Sequence, residues 1–340
     1  MTLIRHLSAA GLLVAIIGAA SVAHADTLDS VRAAGVVRCG SNGASEDYTR
    51  ADTHGDITDL ADAVCKAVAV AVLGRSGKAA VHVWPDERRM LDSLRDGTSD
   101  LAIGVAPTLA TQFAFHVGFA PPVFYDGQGL LVRNDIGSVE GLAGKQICFV
   151  NDGTLDETLR AGMHARHVDY IPFPFEEVGE MLSAAAGSRC AAVTGDLSQL
   201  INLRFGLASI DKRFHLLPDT FSIDPVAPTY RDDSPRWGMV VGAVVNALIQ
   251  AEQSGVTAAN AAQLQTSDDP VIQGLIGPRS VGPGRLLGLP DHWALTMLQG
   301  AGNYGEMFGR TLGQKSDFGL PRGANRPWSQ GGAMSPLPLY

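Results

Sequence analysis

Four cysteines, Cys39, Cys65, Cys148 and Cys190, carry the most versatile chemistry in the 340-residue sequence. A thiol can attack, ligate a metal or pair as a disulfide, and its surroundings choose among these. No Cys-x-x-Cys occurs and the nine histidines are scattered, which argues against zinc. Thr194-Gly195-Asp196 follows a strand-like run and precedes a helix-like one. In open α/β sheets that position lies outside the carboxyl end of a strand, where ligands bind. An aspartate there can hold an ammonium group, but it is also a favoured N-cap, here for a helix starting at Leu197. Asn151-Asp152-Gly153-Thr154 has the same setting. Backbone N–H groups at a helix start can bind an anion; Asp152 would oppose one, and a plain turn and cap fits equally well. His116 and His167 are candidates for proton transfer by residue type alone, and His116, between Phe115 and Val117, reads as structural. No Gly-x-Ser-x-Gly elbow, phosphate-binding loop or His-Glu-x-x-His motif is present. No catalytic residue, metal or cofactor is expected.

The N-terminus bears on the cysteines. Arg5 and His6 precede the apolar run Leu12 to Ala20, and Ala23-His24-Ala25 has the small-x-small pattern of a signal peptidase site. The run is shorter than the roughly 20 residues a membrane helix needs. Residues 1–25 therefore read as a signal peptide, and export places the cysteines where disulfides persist. The chain carries 26 basic and 35 acidic residues, so removing Arg5 leaves 25 − 35 = −10. That balance disfavours nucleic acid and anionic lipid as partners.

The elements that must position these groups alternate. Gly35 to Gly40 reads as a strand, Ile57 to Leu73 as a helix, Ala80 to Val83 as a strand, Asp86 to Asp96 as a helix and Leu101 to Val105 as a strand. A second series follows: strands at Gln146 to Val150, Val168 to Phe173 and Cys190 to Thr194, with helices at Leu155 to Arg166, Glu176 to Ala186 and Leu197 to Leu207. Two short α/β series predict two lobes with mainly parallel sheets. Tyr125 to Gly129 reads as the link, and Asp219 to Tyr230, rich in proline and aspartate, as the return. Trp237 to Gln253 and Leu289 to Leu312, broken near Gly302, read as helices, and the Gly- and Pro-rich stretch from Gly313 as a surface wrap. Four cysteines allow three pairings. Cys39–Cys65 with Cys148–Cys190 is the set that keeps each bridge inside one lobe.

Several segments carry a resemblance. Thr27 to Val36, Tyr125-Asp126-Gly127-Gln128-Gly129, Gly302-Asn303-Tyr304-Gly305-Glu306-Met307-Phe308 and Arg322-Gly323-Ala324-Asn325 resemble the general L-amino-acid-binding proteins of ABC importers, solute-binding protein family 3. The cysteines fall where that family carries its own. The resemblance implies the two-lobed type II periplasmic binding protein fold: each lobe a mixed, mainly parallel sheet flanked by helices, joined by two crossing strands. It implies lobe 1 from residues 26–129 and 228–340, and lobe 2 from 130–227. It also implies a small-molecule ligand (an amino acid or amine) in the cleft, an ABC membrane permease as partner, a periplasmic location, a monomer and no catalysis.

By the same resemblance Asp196, in a Thr-Thr-Asp-like segment with Thr194, holds the ligand ammonium, and Tyr48 packs over the ligand. Thr154 joins this set at the parallel strand end. One departure stands out. Thr111 occupies the position of the family arginine that grips the ligand carboxylate, and no arginine lies between Arg95 and Arg133. A hydroxyl cannot replace a planar, bidentate guanidinium. The cleft is thereby biased toward cations or neutral amines. A dehydratase-like enzyme on the same fold, or a degenerate binding protein acting as a sensor, are the alternatives.

Overall fold

The computed structural model describes residues 26–42, 57–151, 154–206, 212–278, 282–316 and 318–339. The expected signal peptide and Tyr48 lie outside the described residues. The chain enters through α1 (Thr27–Ala34), capped by the Asp26 carboxylate at one end and by Gly35, at φ 66°, at the other. It then alternates: β1 (Val36–Asn42), α2 (Ile57–Leu73), β2 (Lys78–Trp84), α3 (Glu87–Arg95) and β3 (Leu101–Val105). These three strands run parallel in the order β2-β1-β3, joined by the helical crossovers that parallel strands require. Short α4 (Leu109–Phe115), β4 (Val117–Phe119) and β5 (Phe124–Asp126) follow.

The second lobe repeats the plan. It comprises β6 (Gln128–Arg133), β7 (Gln146–Val150), α5 (Thr154–Ala165), β8 (Ile171–Phe175), α6 (Val178–Ala186), β9 (Ala192–Asp196), α7 (Leu197–Gly206) and β10 (Phe214–Thr220). Its sheet order is β10-β6-β9-β7-β8. The chain returns as β11 (Asp224–Arg231), which lies antiparallel between β3 and β4. Each sheet is thus mixed, with three parallel strands and an antiparallel strand beside them.

Side-chain alternation sorts the cores. On β7, Ile147 and Phe149 face one hydrophobic cluster and Cys148 the other; on β6, Leu130 and Val132 oppose Leu131. In lobe 1 the larger of two clusters gathers α2 and α8 (Pro235–Gln253), with Trp237 buried and its indole N–H donating to the Asp100 carbonyl at 2.8 Å, and the smaller packs α3 (Met90, Leu91, Leu94) on Ala102, Val105 and Val117. On α2 the face of Leu60, Ala61, Val64, Val68 and Val72 is buried, together with the adjoining Ala63, Ala67 and Ala71. Helices Trp293–Ala301 and Tyr304–Thr311 pack against this helix from the other end of the chain, which local periodicity cannot foresee. The break between those two helices falls at Gly302, followed by a capping box of Asn303 and Glu306.

Both disulfides form within lobes. Cys39–Cys65 ties β1 to α2, and Cys148–Cys190 ties β7 to the approach of β9. The strand expected at Val168 to Phe173 lies instead at Ile171–Phe175. His167, at φ 56°, ends the preceding helix, and the Val168 amide returns to the Met163 carbonyl at 3.0 Å while its side chain fills the core. Among the described residues no helix is long and apolar enough to cross a membrane.

Candidate ligand-binding cleft

The lobes are joined where β5 ends at Asp126 and β6 begins at Gln128, with Gly127 alone between them. The chain returns through Phe221, Ser222 and Ile223. The two crossings lie back to back. Asp126 pairs with Asp224 in β5–β11, the Gln128 amide donates to Ser222 Oγ at 2.9 Å, and the Phe221 amide donates to the Gln128 carbonyl at 2.8 Å. Glycine is required at 127: a Cβ there would stand 2.3 Å from the Ser222 carbonyl oxygen.

The C-terminal segment braces the first crossing. Asn325, 3% exposed, accepts from the Tyr125 amide at 2.7 Å and donates to the Tyr125 carbonyl at 2.8 Å. Tyr304 donates its hydroxyl to the Val123 carbonyl at 2.8 Å, and burial pushes that phenol's pKa far above its ordinary range. Arg322 grips both Glu252 oxygens, at 2.9 and 3.0 Å, and lies over the Tyr304 and Phe308 rings. The Gly302–Phe308 and Arg322–Asn325 segments therefore hold the hinge rather than the ligand.

Strand geometry gathers the polar groups. Asp126 and Gln128 are two residues apart on one crossing; Asp224 faces Asp126 across β5–β11, and Asp196 faces Gln128 across β6–β9. All four line one cavity of about 450 Å³. Glu87, Gly104 and Ala106 wall it from lobe 1, and Thr154, Ser198 and Asn202 from lobe 2. Gly104 sits at φ 115°, a conformation that disfavours any side chain there.

Asp126 caps α7 from the neighbouring strand. Ser198 donates its hydroxyl to Oδ2 at 2.6 Å and its amide to Oδ1 at 3.3 Å, and the Gly127 amide donates to Oδ1 at 2.9 Å. Burial lifts the Asp126 carboxyl above its usual pKa range; these hydrogen bonds oppose the lift and the Asp224 charge adds to it. Burial also lifts the Glu87 carboxyl. Gln128, 1% exposed, donates through Nε2 to the Leu155 carbonyl at 2.9 Å and to Thr194 Oγ1 at 3.0 Å. Its Oε1 is buried without a hydrogen-bond donor. Such an acceptor at a cavity wall calls for a donor from a ligand or water. Among the described lining residues, Glu87, Asp126, Asp196 and Asp224 carry carboxylates and none carries a positive charge.

The residues singled out from sequence are distributed unevenly around this cavity. Asp196 and Thr154 line it. Thr194, 3% exposed, is committed within the sheet, donating to the Gly129 carbonyl at 2.7 Å while holding the Gln128 amide. Thr111 lies in the first turn of α4, its Oγ1 2.9 Å from Thr108 Oγ1, outside the residues lining the cavity. His116 and His167 end helices in the left-handed conformation, at φ 54° and 56°, and lie on the exposed surface. Sequence reasoning missed Asp126, Gln128, Asp224 and Glu87 as site residues. The signal for the first two was their two-residue spacing inside the Tyr125–Gly129 segment.

Two α/β lobes of like topology, joined by two adjacent strands over a cleft at the carboxyl ends of their parallel strands, define the type II periplasmic binding protein class. No protein-family model matches the chain. The general L-amino acid-binding periplasmic protein AapJ of Rhizobium johnstonii is 34% identical, over 98% of this chain and 99% of its own. The glutamate/glutamine/aspartate/asparagine-binding protein BztA of Rhodobacter capsulatus is 32% identical, over 94% of this chain and 95% of its own. A solved periplasmic binding protein of an ABC transporter from Brucella ovis, with glutathione bound, superposes with a TM-score of 0.73 at 31% identity, covering 93% of this chain and 100% of that one. The chain belongs to the amino-acid-binding periplasmic proteins of ABC transporters.

Proposed function

We propose that this protein captures a small amine-bearing solute, an amino acid or a relative of one, and delivers it to the permease of an ABC importer without altering it. The ligand lies between the lobe of residues 26–129 with 228–340 and that of 130–227, which close on it about the paired crossings. Asp196 and Thr154 contact it, Thr194 positions Gln128 and Asp196 from behind, and Tyr48 and Thr111 approach from lobe 1. The protein acts as a monomer, because each lobe must move freely.

The observation that carries this reading is the cavity between the lobes, walled from both sides and rich in acceptors at its floor. Closure excludes water, and a few polar groups then hold a small ligand firmly. A thermal-shift screen of the mature protein against amino acids, amines, small acids, glutathione and oligopeptides tests it. Ligands that bind only the native state raise the melting temperature. Stabilisation by amine-bearing solutes is expected, and silence across the panel sinks the receptor reading. Thr111→Arg should strengthen binding of zwitterionic amino acids if this turn of α4 faces the ligand upon closure.

A further inference from the structure

The cleft floor presents acceptors where an amino-acid site needs both acceptors and a cation. Asp126 and Asp224 stand opposite each other on paired strands, Asp126 accepting from Ser198 and the Gly127 amide and Asp224 from Ser222 Oγ at 2.6 Å, so that together they make the floor negative. One rung further along, Asp196 stands opposite Gln128, whose buried Oε1 lacks a donor. Glu87 faces these groups from the start of α3 in the other lobe. No described lining residue offers a positive charge to a ligand carboxylate. The neighbouring helix α5 opens with Asp156 and Glu157 in its first turn, which further disfavours an anion there.

These carboxylates do not converge. Among the described residues, no three His, Cys, Asp or Glu side chains come close enough together to hold one metal ion. Negative charge spread across a cavity of about 450 Å³ suits separated positive centres better than a single ion. Apolar groups, Ala106, Leu155 and Val226, line the same cavity and offer surface to a hydrocarbon spacer.

We propose, building on the reading of this cleft as the ligand site, that its preferred ligand is an organic dication without a carboxylate: two amino groups on a short apolar chain, one donating at the floor to Gln128 Oε1 in the negative field of the nearby aspartates, the other held by Glu87.

Calorimetric titration of the mature protein with putrescine, n-butylamine, lysine and glutamate tests the idea. Putrescine should bind more than about tenfold tighter than either butylamine or lysine, and glutamate should give no binding heat. Glu87→Gln should weaken putrescine about tenfold and leave butylamine within about twofold, with an unchanged melting temperature as the control for folding. Lysine or glutamate binding more tightly than putrescine would overturn the dication and leave the amino-acid receptor standing. A Glu87→Gln variant that weakens both amines alike would remove Glu87 as the second anchor and with it the proposal. No heat with any amine or amino acid would sink the receptor reading as well.

Discussion

Lobe 1 orders its strands β2-β1-β3-β11-β4, and lobe 2 orders them β8-β7-β9-β6-β10. In both, three parallel strands meet an antiparallel strand that has just crossed from the other lobe. Their outer layers differ. Lobe 1 adds the long buried helix Pro235–Gln253 and the pair Trp293–Ala301 and Tyr304–Thr311, which build one large cluster, with a small one around Met90, Leu91 and Leu94 beside it. Lobe 2 has two thinner clusters, one on each face of its sheet. The cleft walls differ in the opposite sense. Gly104 and Ala106 give lobe 1 a smooth wall, with Glu87 as its charge, while lobe 2 offers Thr154, Asp196, Ser198 and Asn202. A smooth wall can approach a ligand closely but cannot select it by hydrogen bonds. The hydrogen-bonding side chains of the cavity walls are therefore concentrated on the lobe with the smaller core.

The sharpest test of the stability half of this contrast is the removal of each disulfide. Replacing Cys148 and Cys190 by serine opens a loop spanning 42 positions, and the chain-entropy model gives about 4 kcal/mol. The same change at Cys39 and Cys65, spanning 26 positions, costs about 3.5 kcal/mol. In lobe 2 the loss should uncouple unfolding into two transitions in a denaturant titration, because its core is small. If the lobe 1 variant splits instead, core size does not set the weaker lobe.

The recognition half is probed next. Asp196→Asn should weaken an amine ligand by about 2 kcal/mol, roughly 30-fold in Kd, as expected for loss of a charge-assisted hydrogen bond. Ala106→Ser on the opposite wall should change Kd by less than about threefold. Equal effects in a titration calorimeter would erase the asymmetry. At the joint between the lobes, Gly127→Ala must push the crossings apart and should destabilise by about 1–3 kcal/mol, read from the denaturation midpoint.

The smallest effect concerns pH. Asp126 and Glu87 have raised carboxyl pKa values in the folded state, so the folded protein holds those protons more tightly than the unfolded chain. Their contribution favours folding while they stay protonated and is lost as pH rises through the raised folded values. The melting temperature of Asp126→Asn relative to the unaltered protein should therefore climb from mildly acidic to neutral pH. A constant difference would show that burial does not lift the Asp126 carboxyl.

Parts of this were legible in the chain. The apolar stripes of α2, α3 and α5 and the short strands between them gave the alternation, because each element buries one face. Helix α4 left no such mark: none of its residues is buried, so no periodic face exists to read. Strand β11 was hidden by Pro225 and Pro228, which argue against a strand in isolation. It tolerates them because Pro225 faces Tyr125 on the three-residue β5, and Pro228 falls at the irregularity in register between Ala227 and Thr229 against β3.

The sequence by itself determined the export pattern, the two α/β series, a pairing of cysteines within lobes, and the place of Asp196 at a strand end before a helix. Those are local properties, written in periodicity, charge and spacing. Only the tertiary structure decided that Asp126, Asp224, Gln128 and Asp196 share one floor, and that Asn325 and Tyr304 steady the hinge above it. Each of those meetings depends on strand register and packing between residues far apart in the chain. Register is fixed by which faces must be buried in the assembled sheets, and no short window of sequence contains that information.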